Sequence, residues 1–158
     1  MPDADDGGGG DPGEPGDGEF LWSIQADDAT VSLGEAADQG AYLQATGDIH
    51  PILVTDSREG GPEWSVSGQV GDFGGDLSAR YLGWGPAVLE SGAGAVAGDE
   101  VASGISGGEG LSQPSLLAAS PGGHDVGSAL LGADLDLRLP VDTEPGTYTA
   151  ILTITALS

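Results

Sequence analysis

The chain of 158 residues has no cysteine. Disulfides, thiolate metal sites and Cys nucleophiles are therefore excluded. There is no Asn, so no N-glycosylation sequon exists and no Lys-Asn isopeptide bond can form. Lys is absent as well: three Arg stand against 26 acidic residues, for a net charge of −23. Phosphate backbones and anionic headgroups repel such a surface, which argues against nucleic acid and lipid as partners. The same charge favours solubility. No apolar run approaches the ~20 residues of a membrane span, so no membrane insertion is expected. Met1 is followed by acid and glycine rather than by a basic segment and an apolar core. A signal peptide is therefore not expected in this chain, and an export signal would lie upstream.

The most informative stretch runs from Pro62 to Phe73, PEWSVSGQVGDF. Trp64, Val66 and Val70 fall on one face, and Ser65, Ser67 and Gln69 on the other. A period of two marks a half-buried strand. Gly71-Asp72 ends it. This predicts a central strand whose Trp64 anchors an all-β core.

Residues 1–19 hold seven acids, seven Gly and three Pro. Such a segment buries too little surface to offset its ordering entropy, and a disordered acidic linker is expected there. A single domain is expected over residues 20–158. Phe20, Trp22 and Ile24 alternate with Leu21, Ser23 and Gln25, which predicts a first strand. Short strands are predicted at Thr30–Leu33, Ala41–Gly47 and His50–Asp56. Ser57–Pro62 has turn composition. Leu77–Glu90 is interrupted by Gly83, Gly85 and Pro86, which predicts a bent or bulged strand. Residues 91–110 read as short edge strands and loops, and Leu111–Ser120 is open between strand and helical turn. In Ala133–Leu139 the leucines 135, 137 and 139 face inward, while Asp134, Asp136 and Arg138 face water. Thr147–Leu157 alternates most strongly, with Tyr148, Ala150, Leu152, Ile154 and Ala156 on one face. Together these features predict a β-sandwich of about nine to eleven short, mostly antiparallel strands.

Three segments in order, TDSREGGPEWSVSGQVGDF, YLGWGPAV and LGADLDLRLPVDTEPGTYTAILTITAL, resemble the WxL domain of Gram-positive surface proteins, in the form met in actinobacteria. The likeness covers most of Phe20–Ser158. It implies a secreted, extracellular β-rich domain that attaches a larger surface protein non-covalently to the cell wall, with peptidoglycan or another wall polymer as partner. The first Trp-x-Leu motif matches as Trp64-Ser65-Val66. At the place of the second, the chain has Ile154-Thr155-Ala156, without its Trp. That loss favours an alternative: a structural or stalk domain that contacts copies of itself or other surface proteins.

Aromatic rings stack on sugar faces, so Trp84 and Tyr81, and then Trp64, are the candidate glycan- or partner-binding residues. Trp84, between two glycines, is expected to be the accessible ring, and Trp64 to lie in the core. Asp56 and Arg58 are expected to pair across a turn or cap it. Structural calcium is conceivable at Asp72/Asp76 or Asp99/Glu100, yet neither pair has the spacing of a defined calcium loop. No other cofactor is implied. Neither His50 nor His124 has a nucleophile in a recognisable arrangement, so no enzyme is expected.

Overall fold

The computed structural model describes residues 17–26, 30–73 and 77–158. Among the described residues there are ten strands and no helix beyond three-residue 3-10 turns. They form two antiparallel sheets, so the predicted β-sandwich is the observed architecture. The expected linker lies mostly outside the described residues, but Asp17, Gly18 and Glu19, assigned to it, belong to the first strand.

The larger sheet is built on β9 (Gly127–Leu139), whose alternate residues from Ala129 to Leu139 are buried. On one side β9 pairs along its length with β6 (Leu82–Glu90). On the other it pairs with β3 (Leu43–Asp48) and then β4 (Ile52–Arg58). These two act as one strand with a bulge. Asp48 faces Asp134 and Ile52 faces Leu131, which leaves one extra residue on the β3–β4 side. Pro51 sits in this gap, where its missing N–H costs no ladder bond. The edge is completed by β1 (Asp17–Ile24) on β4 and by β2 (Ala37–Asp38) on β3.

The smaller sheet has the order β10 (Leu152–Leu157), β5 (Trp64–Val70), β8 (Ser115–Ser120), β7 (Val96–Ala97). The stretch around Trp64 is thus an interior strand of its sheet, as its alternation predicts. Trp64, Val66 and Val70 are buried, whereas Ser65, Ser67 and Gln69 are not.

Two predicted strands are shorter or missing. Thr30–Leu33 is not a strand, although Val31 and Leu33 still pack on the core. The last strand begins only at Leu152; Thr147–Ile151 lies outside it. The face assignment holds, with Leu152, Ile154 and Ala156 inward, but these residues are only half-buried because β10 is an edge. The predicted bend in Leu77–Glu90 is a 3-10 turn at Ala79–Tyr81 followed by β6, with a bulge between Val88 and Glu90.

Candidate functional site

Trp84 corrects an expectation. Its side chain is 1 % exposed, so it offers no ring to a glycan. Alternation along β6 sends Leu82 and Trp84 into the core. Gly83 and Gly85 lie on the opposite face, where a Cβ would stand 2.2 Å from the Val101 carbonyl oxygen and 2.4 Å from Asp134 Oδ1. The flanking glycines make room for neighbours on the outer face and do not expose the indole. The ring is accommodated across the sandwich by Gly68 of β5, whose Cβ would meet Trp84 Cη2 at 2.5 Å. The Trp84 Nε1 hydrogen is buried and has no hydrogen-bond acceptor among the described residues. Tyr81 is half-buried, with the Arg80 guanidinium 5.8 Å from its ring centre.

Trp64 lies in the core as expected. Its Nε1 donates to the Ala93 carbonyl at 2.9 Å. The structure brings the two motif segments together: β10 runs antiparallel to β5, with Val66 opposite Ala156 and Gly68 opposite Ile154. Only Ser65 and Thr155 of these segments point outward, Thr155 directly opposite Ser67. Trp64 and Val66 therefore serve the core, and any contact made at this place uses the other face of the sheet.

That outer face has a definite chemistry. Cross-strand register sets Leu157, Ser65, Ala119 and Val96 in one row, Thr155, Ser67 and Leu116 in a second, and Thr153 beside Gln69 in a third. Leu157, Val96 and Leu116 are exposed. No strand of this sheet contains a charged residue. The larger sheet is the opposite: Asp48, Glu90, Asp134, Asp136 and Arg138 all sit on its strands. Arg138 Nε binds Asp136 Oδ2 at 3.0 Å, and its guanidinium lies 4.9 Å from the Tyr42 ring centre.

Among the described residues one charged group is wholly inside, and its environment was only half legible in the sequence. Asp56 is 0 % exposed. Arg58 grips it through Nε at 2.8 Å and Nη2 at 2.9 Å, and the Arg58 N–H donates to Oδ1 at 3.0 Å. The pairing with Arg58 is expected, but both residues lie in β4, which runs into the predicted turn, so the pair is not across a turn. The third partner is His124, from the loop joining the two sheets, whose Nε2 is 3.1 Å from Asp56 Oδ2 and 3.1 Å from the Pro62 carbonyl. Its Nδ1 contacts the Asp125 carbonyl at 2.8 Å. Gly61 permits the approach: at φ 59°, its Cβ would stand 2.0 Å from the His124 carbonyl oxygen. The Arg58 hydrogen bonds hold the Asp56 carboxyl below the usual carboxylate range, against the opposing effect of burial. Arg58 also lies over Phe20, 5.5 Å from its centre, and Phe20 packs on Trp64 at 5.4 Å. The cluster thus joins β1, β4, β5 and the crossing loop, which is the geometry of a clasp between sheets.

The remaining candidates take local roles. Asp72 Oδ1 accepts from the Ala79 N–H at 3.1 Å, Asp76 lies outside the described residues, and Asp99 and Glu100 are exposed in a loop. Among the described residues no group of three or more His, Asp or Glu is placed to hold a metal ion. His50 Nε2 contacts the Thr30 carbonyl at 2.8 Å. Among the described residues no helix is long and apolar enough to cross a membrane. No family model, curated protein or solved structure matches the chain, so the resemblance to the WxL domain rests on the residues that carry it.

Proposed function

We propose that the protein is a non-catalytic extracellular module that attaches a larger surface protein to the cell wall through the outer face of its smaller sheet. The observation that carries this reading is the absence of charge on the strands of that sheet in a chain of net charge −23. Wall polymers are rich in hydroxyls and carry anionic groups. An acidic face is repelled by them at close range, whereas a neutral face of Ser, Thr and Gln can hydrogen-bond to sugars without that cost. The charge partition would therefore also orient the module, acidic sheet outward. The resemblance to the WxL domain supports the same reading.

A second reading is a stalk or assembly domain that contacts protein. Exposed Leu116, Leu157 and Val96 on the same face favour it, as does the burial of Trp84. Co-sedimentation with purified peptidoglycan separates the two. Wall attachment predicts that the chain pellets with peptidoglycan, and that raising the salt does not release it, because no ion pair holds the contact and salt only screens the repulsion between the acidic chain and the wall. A chain that stays in the supernatant at every salt concentration rules out the wall reading.

A further inference from the structure

Among the described residues no strand pairs with the outer edge of β10. There β10 pairs only with β5 and forms the end of its sheet. Natural sheets blunt such edges with charge, proline, bulges or very short strands. The opposite edge, β7, is two residues long. β10 has six residues, no proline, no charge and no register shift against β5. The whole stretch from Gly146 to Ser158 is uncharged.

Its sequence is also nearly symmetric about Ile154. Thr153 and Thr155 flank it, then Leu152 and Ala156, then Ile151 and Leu157. Ile151 and Leu157 are the most exposed large apolar residues among those described, at 77 % and 66 %. The backbone is set for the same centre. Gly71 N–H donates to the Ile151 carbonyl at 3.1 Å, which makes Ile151 and Gly71 a hydrogen-bonded pair. Antiparallel alternation then turns Ile151, Thr153 and Thr155 toward β5, and the backbones of Leu152, Ile154 and Ala156 toward the free edge.

We propose that β10 pairs with the β10 of a second copy of this chain, antiparallel and centred on Ile154, to give one continuous sheet across a two-fold axis. In this register Ile154 meets Ile154, and Leu152 meets Ala156, each pair exchanging both hydrogen bonds. On the outer face Thr153 meets Thr155 and Ile151 meets Leu157. Inner residues meet inner and outer meet outer, so both sheet faces continue across the junction. A second copy is the occupant that this symmetry fits, because a two-fold contact requires a self-complementary patch. Elsewhere the acidic surfaces of two copies repel each other, and this uncharged edge is where they can approach. The inference stands apart from wall attachment, and its test uses the purified chain alone.

Sedimentation velocity over a range of concentrations tests it. A monomer–dimer equilibrium is expected, and it should tighten as salt screens the repulsion between the two acidic copies. Thr153→Lys with Thr155→Lys places like charges opposite each other on exposed positions, and should weaken the dimer about tenfold or more. The corresponding Glu pair should do the same alone, and an equimolar mixture of the Lys and Glu variants should restore dimers. In a chain with no native thiol, Ile154→Cys should crosslink to itself on oxidation, because a hydrogen-bonded pair sets the Cα atoms about 5.5 Å apart, within disulfide reach. A parent that stays monomeric at all concentrations and salts, or folded Lys and Glu variants that dimerise as well as the parent, would overturn the proposal.

Discussion

The two sheets of this sandwich share an interior but not an exterior. Each contributes one indole to the core: Trp84 from the larger sheet and Trp64 from the smaller. Outside, the larger sheet places Asp48 directly opposite Asp134, a like-charge pair that costs stability. The smaller sheet has no charged residue on any strand. Solubility alone is served by acids spread over every face. Among the described residues the strands of one sheet stay free of charge, although the chain carries −23.

The comparison breaks most severely where the sheets are clasped. Asp56→Asn keeps the shape of the side chain but leaves Arg58 and His124 without their anion. The loss should be about 3 kcal/mol in urea-unfolding free energy, because breaking a buried pair strands the partner charge. The pH dependence has a fixed sign. The Asp56 carboxyl titrates lower in the folded chain than in the unfolded one, where its ordinary value is 3.8. Its contribution is therefore complete above that value, and is lost as pH falls through it toward the lower folded value. The Asn variant should lack this part of the acid transition. An unchanged acid limb in the variant would show that the cluster does not hold the sheets together.

A smaller effect separates the two indoles. Among the described residues Trp84 Nε1 has no acceptor, whereas Trp64 Nε1 is bonded to the Ala93 carbonyl. Replacement by Phe removes similar volume at both sites, but only at position 64 does it strip a buried carbonyl of its donor. Trp64→Phe should cost more than Trp84→Phe by about 1 kcal/mol in chemical denaturation. Equal losses, or the reverse order, would mean that shape dominates at both positions.

The smallest expected effect lies on the acidic face. Asp134→Asn removes the repulsion with Asp48 and should stabilise the fold by about 0.2–1 kcal/mol, more at low salt than at high. Thermal melts at two ionic strengths would measure it. Destabilisation at low salt would show that Asp134 has a favourable partner that outweighs Asp48.

Much of the fold was legible because strand periodicity is local. The alternation in Trp64–Val70 and in the Leu135, Leu137, Leu139 series each assigned the inward face correctly. What failed depended on contacts distant in sequence. Trp84 was misplaced because glycines beside an indole suggest exposure, while their real cause is the Val101 backbone and the Asp134 side chain packed against them. Thr30–Leu33 and Thr147–Ala150 have strand patterns but do not form strands, and propensity alone does not make a strand. Asp56 and Arg58, two residues apart, were visible as a pair. His124 was not visible as their partner, since nothing in the local sequence PGGHD announces Asp56. The uncharged face was present as runs without acids, but only the register of β5, β8 and β10 shows that these runs lie side by side.

The central claim is that the smaller sheet makes the contact because it lacks charge. A matched pair of substitutions tests it: Ser67→Asp on the outer face of β5, and Ser128→Asp on the outer face of β9, compared in peptidoglycan co-sedimentation. The account predicts that the first loses most of its pelleting while the second keeps the parent's. Equal pelleting by the two variants, or loss confined to Ser128→Asp, would contradict it.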